Sequence, residues 1–277
     1  MIFHTLELIR VKDWIKNLVL LMPLIFSGNI LNFDVYLSLF ISLIFFSLTT
    51  SAVYIINDIN DIKSDRSHPY KIKTKPIARG DISLNYALGL LIFIFILITI
   101  FYFIDSKIIF HLLAYFILNL FYNYFIKGII ILDLFIISIG YIIRIDVGSI
   151  AIGVQSSMMM LISIFSLSFF VLAIKRKKEF QQIASGRKNL KHYNLTILNS
   201  IIALSLFSSI VSYSIYIYIK NHNLIISMPL VIICFLRYLY ISSRTSKGEF
   251  PFDLFFRDWI LLLSGCTYMV VIVINFL

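Results

Sequence analysis

Charge is scarce in this sequence. Only 14% of its 277 residues are charged, and only 14 are Asp or Glu. A soluble domain carries about 25% charged residues, so this chain has too few to cover a water-facing surface. Proline (5) and glycine (10) are also few, which leaves long stretches with nothing to interrupt a helix. The 2 cysteines, Cys234 and Cys266, both fall in apolar runs. That excludes a disulfide framework and zinc-type spacing, and it fits buried or lipid-facing thiols. No polar stretch is long enough for a soluble domain, no linker is visible, and no internal repeat recurs. Arg10, Lys12 and Lys16 precede an apolar run, but no small-residue cleavage site follows, so no cleavable leader is expected.

What is present is apolar surface. The chain is 60% hydrophobic with a mean hydropathy of +0.94. Continuous apolar runs recur, each long enough to cross about 30 Å of hydrocarbon. They do not alternate as barrel strands do. The expected fold is therefore all-α: a polytopic membrane bundle of about nine transmembrane helices in a single domain, residues 1–277. The spans are expected near 17–30, 34–56, 83–104, 108–126, 129–151, 157–175, 196–219, 224–242 and 258–277. Pro23 is expected to kink or end the first of them, and Met158–Met160 is read as packing.

The net charge of +10 does not indicate nucleic acid, because of where it sits. With the segment before the first span in the cytoplasm, 21 of the 24 Lys and Arg fall on the cytoplasmic side. Lys107, Lys220 and Arg144 are the others. This is the positive-inside pattern, with some cationic charge left to hold anionic substrates and lipids.

The acidic residues cluster. The second span runs into Asn57-Asp58-Ile59-Asn60-Asp61-Ile62-Lys63-Ser64-Asp65, and 4 of the 14 acids (Asp58, Asp61, Asp65 and Asp81) lie within 24 positions. Spacings of three and then four place Asp58, Asp61 and Asp65 on one face of a continuous helix. Like charges there repel unless a cation sits among them, and Mg²⁺ is held by one or two carboxylates plus substrate phosphates. The bland alternative is a solvated acidic turn. If the cluster is exposed, neutralising one Asp relieves repulsion and leaves stability unchanged or higher. Arg66, Lys71, Lys75 and Arg79 follow at once and can clamp the phosphates such a metal bridges; the alternative is topology charge alone. His68 is read as a turn or capping residue rather than a metal ligand.

At these residues the chain resembles the UbiA superfamily of membrane transferases, whose Mg²⁺–diphosphate signature is Asn-Asp-x-x-Asp-x-x-x-Asp closing the second of nine helices. Further stretches are similar to the superfamily's decaprenyl-phosphate phosphoribosyltransferase branch. They are Arg10-Val11-Lys12-Asp13-Trp14-Ile15-Lys16-Asn17, then His68-Pro69 with Lys75-Pro76-Ile77 and Gly80. Next come Leu132-Asp133 with Gly140 and Arg144, Lys175-Arg176 with Glu179, Leu236-Arg237-Tyr238 with Gly248-Glu249, and Arg257-Asp258. Two departures stand out. Lys75 replaces the branch's usual Arg, keeping the charge and losing the bidentate fork, and Arg144–Gly148 is less rich in small residues. Aromatic prenyltransferases of the superfamily carry a second Asp-x-x-x-Asp where this chain has Lys175-Arg176-Lys177-Lys178-Glu179.

The resemblance implies a Mg²⁺-dependent transfer of a phosphoribosyl group from phosphoribosyl diphosphate to a polyprenyl phosphate, in a bacterial inner membrane with the site facing the cytoplasm. Asp58, Asp61 and Asp65 would be the metal and catalytic residues. Substrates would be held by Lys16, Asn17, Asn57, Arg66, Lys71, Lys75, Arg79, Lys127, Asp133, Arg144, Lys175, Arg176, Glu179, Arg237, Tyr238, Arg257 and Asp258. Within that set, Lys16 and Asn17 open the first helix, where free N–H groups bind anions; an interfacial anchor is the alternative. Trp14 is read as an interface aromatic. Asp133 either serves the substrate or caps its helix. Arg144 either meets a distant carboxylate or binds phosphate. Lys175 and Arg176 are the expected bare cations for the lipid phosphate. The competing readings are prenyl transfer to an aromatic acceptor, and a transporter or structural membrane protein.

Overall fold

The computed structural model describes residues 1–67, 71–126, 129–181, 194–244 and 251–276, with the side chains of 71 and 251–253 outside that description. The described residues are helical and contain no strand. In chain order they form α1 (Ile2–Leu8), a 3₁₀ run (Val11–Leu21), α2 (Met22–Phe26), α3 (Tyr36–Asn60), α4 (Ile62–Ser67), α5 (Lys71–Thr74), α6 (Pro76–Arg79) and α7 (Leu84–Tyr102). These are followed by α8 (Ser106–Phe121), α9 (Leu132–Ala151), α10 (Met158–Gln181), α11 (Leu195–Lys220), α12 (Met228–Arg244), α13 (Pro251–Arg257) and α14 (Trp259–Phe276).

Among the described residues, eight helical segments are long and apolar enough to cross a membrane, and they match the second to ninth expected spans. The first expected span takes a different form. Val11–Leu21 is 3₁₀ over 11 residues, and the Met22 N–H bonds back only to Val19. Pro23 has no N–H to give the Val19 carbonyl the ordinary i−4 bond. At about 2.0 Å per residue such a run rises about 22 Å, and it is not among the segments long and apolar enough to cross a membrane.

Polar residues at the span ends start the helices. Ser83 accepts from the Tyr86 N–H, Asp105 from Lys107 and Ile108, and Asn194 from Ile197 at 2.7 Å. Each satisfies donors that the first turn of a helix leaves open.

The chain divides into two compact units, residues 1–22, 33–125 and 143–154 in one, and 23–32, 126–142 and 155–277 in the other. In the first, α3 packs against α7, α8 and the 3₁₀ run, with Phe46 and Phe101 fully buried. In the second, α10 and α11 pair along their length. Ser163 and Ser209 donate to each other's carbonyls at 3.4 and 3.3 Å, and Ser166 meets Ser208 at 2.9 Å. Small hydroxyl side chains let two helix backbones approach closely where lipid supplies no hydrophobic drive.

Candidate active site

The aspartate motif sits where α3 breaks. Asp61 lies in the bridge region (φ −89°, ψ 3°) between α3 and α4, its N–H bonded to the Asn57 carbonyl. The three carboxylates therefore do not share one uninterrupted helix, as the spacing alone suggested. Nor is the cluster exposed: Asp58 is 3% and Asp65 1% accessible, while Asp61 is half-buried.

Cations from two other segments neutralise the buried pair. Lys75 Nζ lies 2.9 Å from Asp58 Oδ1 and 2.6 Å from Asp65 Oδ2. Arg10 donates to Asp58 Oδ1 at 2.7 Å, with its guanidinium 4.4 Å over the Tyr54 ring. Lys75 is held by local geometry. It is the extended residue ahead of α6, Pro76 opens that helix, and Gly80 ends it at φ 92°, a left-handed angle that suits a residue without Cβ. Arg10 is itself left-handed (φ 54°), a conformation a non-glycine residue keeps only when its surroundings hold it there. The sequence reading gave Arg10 no role in the site. It heads the Arg-x-x-x-Trp stretch, but nothing in that spacing says it reaches a carboxylate 48 residues away.

Burial favours the neutral form of Lys75, but Asp58 and Asp65 outweigh it and raise its pKa above the ordinary lysine value. The ammonium is thus present throughout the neutral range. Its folded pKa lies above its unfolded one, so its stabilisation is complete below about pH 10.5 and is lost as pH rises through the folded value. The thermal midpoint of the detergent-solubilised protein should therefore fall more steeply above pH 10.5 than that of Lys75→Met. Identical alkaline slopes would show that the pair contributes nothing there.

Other parts of the motif have neighbours the sequence did not announce. At the end of α8 a single π-helical turn, Tyr122–Ile126, brings the Tyr124 hydroxyl to 2.5 Å from Asn60 Nδ2. Such turns concentrate at functional sites. Asn57 is half-buried and Arg66 is exposed on α4. Arg79 faces away from the carboxylate pair: it donates to Glu7 of α1 at 2.7 Å, to Asp81, and to the Lys73 carbonyl at 2.8 Å.

A second polar centre in the same unit corrects the reading of Lys16 and Asn17. Both lie inside the 3₁₀ run rather than at a helix start, so no free N–H groups gather there for an anion. Lys16 donates to Asp13 at 2.5 Å. Asn17 is buried and donates to Ser47 at 3.0 Å while its carbonyl accepts from Arg144 Nε at 2.9 Å. Arg144 also donates to the Tyr115 hydroxyl at 3.0 Å, and its guanidinium lies 5.2 Å from the Phe46 ring. Neutral acceptors and aromatic faces thus receive this arginine, in addition to the two possibilities the sequence offered. Trp14 likewise turns inward, its N–H 3.1 Å from Ser51 Oγ.

The described residues of the second unit include further ion pairs. Asp133 is fully buried and accepts from Arg176 Nε at 2.8 Å, and Arg176 reaches Glu179 at 2.6 Å through Nη1. Arg176 is 4% accessible. It is therefore not the bare cation expected for a lipid phosphate, because two carboxylates already claim its fork. Lys175 is half-exposed beside it. In the same unit Leu134, Phe170, Ala173 and Phe235 belong to one buried apolar cluster, with Tyr238 packed against it. Arg237 clasps Asp258 with both Nε and Nη2, the latter at 2.7 Å. Asp258 also accepts from the Leu261 N–H at 3.0 Å, capping α14. The Arg237 hydrogen bond holds the Asp258 carboxyl below its usual pKa. Arg257 is exposed. Lys127, His68, Gly248 and Glu249, and the Lys71 side chain, lie outside the described residues.

Among the described residues no three His, Cys, Asp or Glu side chains converge as a metal cluster. The donor set nonetheless fits a hard divalent ion, because Asp58 and Asp65 aim oxygens at one common cation and Mg²⁺ needs only one or two carboxylates beside phosphate.

The structure thus places a buried carboxylate pair, closed by lysine and arginine, at the end of α3, the first of the eight long apolar helical segments among the described residues. The UbiA prenyltransferase family profile matches residues 19–257, and the chain belongs to that family. It is 30% identical over 227 residues to decaprenyl-phosphate phosphoribosyltransferase of Mycolicibacterium smegmatis, covering 78% of this chain and 70% of that one. It is 27% identical to the Corynebacterium glutamicum protein of the same name, covering 97% and 85%. In fold it is similar to a UbiA homologue from Archaeoglobus fulgidus solved with GPP and Mg²⁺ (TM-score 0.67, 17% identity, 99% of this chain and 98% of that one).

Proposed function

We propose that the protein transfers a 5-phosphoribosyl group from phosphoribosyl diphosphate to a polyprenyl phosphate and releases diphosphate. A single membrane transferase domain would do this, with its charged loops on the cytoplasmic side of a bacterial inner membrane. The observation that carries the reading is a contrast between two charged regions. Asp58 and Asp65 form a buried carboxylate pair. The second long acidic motif of aromatic prenyltransferases is replaced by Lys175–Lys178. One acidic and one basic region suit a diphosphate donor and a monophosphate acceptor. The names of the curated relatives supply the substrate class.

Asp58 and Asp65, with Asp61 on the adjoining turn, would hold Mg²⁺, which when bound neutralises charge on the departing diphosphate. Lys75 and Arg10 point their N–H groups into the same small volume. Once a metal satisfies the carboxylates, those donors are placed to take phosphate oxygens, and exposed Arg66 adds charge nearby. Lys175 is our candidate to meet the lipid phosphate. A lipid phosphate oxygen attacks the anomeric carbon as the bond to diphosphate breaks. A phosphate monoester is already ionised at neutral pH, so positioning and electrostatics suffice without a strong base.

Membranes containing the protein, supplied with Mg²⁺, polyprenyl phosphate and ribose-labelled phosphoribosyl diphosphate, should move label into the organic phase. The reading fails if no label moves while a prenyl diphosphate is consumed with an aromatic acceptor.

A further inference from the structure

The strongest feature left unused is α1. At 100° per residue, Ile2, Phe3 and Leu6 fall within about 100° of one another. They are 80%, 72% and 47% accessible, whereas Leu8 on the opposite side is fully buried. The rest of the helix is tied to the turn that carries Lys75. Glu7 accepts from Arg79 at 2.7 Å, His4 Nδ1 lies 3.4 Å from Asp81 Oδ2, and the Thr5 hydroxyl is 2.9 Å from that of Tyr86. Tyr86 stands in the first turn of α7, most of whose residues are not buried. Through Thr5, α1 therefore lies beside the start of α7, a helix long and apolar enough to cross a membrane, and the end of such a span is where the headgroups lie. Val11 and Lys12, next along the chain, are also exposed, and a lysine there attracts anionic lipid.

We propose that α1 is an interfacial helix whose partner is the lipid leaflet, and that by lying in it α1 holds the turn 75–81 against the aspartate pair. Insertion of Ile2, Phe3 and Leu6 at the acyl boundary removes apolar surface from water. The Glu7–Arg79 pair transmits that anchorage to α6, whose short frame rests on bonds such as Arg79 N–H to the Lys75 carbonyl and Gly80 N–H to the Pro76 carbonyl. Arg79 and Glu7 are then positioning residues for Lys75.

The test uses the full chain in nanodiscs of zwitterionic and anionic phospholipid, with Cys234 and Cys266 replaced by Ser. A fluorophore on Phe3→Cys should be quenched by nitroxide-bearing lipid and shielded from iodide, while one on exposed Lys63→Cys shows the reverse. Hydrogen exchange of the 79–82 amides should rise about tenfold or more in Phe3→Asp/Leu6→Asp. It should rise equally in Glu7→Gln, which leaves the Phe3 label in lipid and guards against a misfolded double variant. Iodide quenching at position 3 overturns the membrane seat, and unchanged exchange in Glu7→Gln overturns the strap. Neither measurement depends on turnover, so the inference stands or falls separately from the proposed reaction.

Discussion

Replacing Arg176 with Met should destabilise the protein by about 3–5 kcal/mol, the usual cost of leaving a buried charge without its partner. Asp133 is fully enclosed and accepts from Arg176 Nε of α10 and from the Leu134 N–H. Asp133→Asn should cost less, because Arg176 keeps Glu179 as a partner. Made together, the two changes should cost much less than their sum, because neither leaves a bare charge in an apolar cluster. Chemical unfolding of the four proteins in detergent gives the comparison. If the double variant shows the full sum, the pair is not a closed unit and Arg176 is held by other groups. The same logic predicts that Arg176→Met impairs activity through stability, with KM values close to normal for whatever protein stays folded.

Asp58→Asn and Asp65→Asn should each lower turnover by about a hundredfold or more, as expected when preorganised charge at a leaving group is lost. Each should also lower stability. A solvated acidic cluster, as read from spacing alone, would gain stability on neutralisation. The burial of both side chains and their contacts with Lys75 and Arg10 reverse that sign, because an amide leaves the cations under-compensated. Thermal midpoints alongside kcat at saturating donor separate the two effects. A normal midpoint with lost activity would return the motif to the exposed-cluster picture. Near-normal turnover in both variants would remove these residues from the chemistry.

Spans two to nine were readable because apolar runs of that length have one fate in a lipid solvent, and the aspartate motif was readable because acids are so rare here. What could not be read lies in two kinds of place. One is helix form: the sequence has no local mark for a 3₁₀ run at Val11–Leu21, the break at Asp61, or the left-handed angles at Arg10 and Ile131. The other is long-range pairing. Asn17 meets Arg144 across 127 residues, and Arg79 meets Glu7 across 72. Spacing predicts which charges share a helix face, but it is silent on which distant helix answers them. For that reason Arg176 and Arg79, read as substrate cations, are found paired with Asp133, Glu179, Glu7 and Asp81, while Arg10, read as topology charge, is found against Asp58.

The serine ladder between α10 and α11 bears on how such a chain is made. Within a bilayer, water does not drive two helices together, so a pair must find its register through contacts of its own. Ser163 with Ser209 and Ser166 with Ser208 provide those contacts between consecutive spans. They are available as soon as α11 has left the ribosome, before α12 or α14 exists. The α10–α11 hairpin is thus equipped to assemble during synthesis and to serve as the template on which the last two long helices dock.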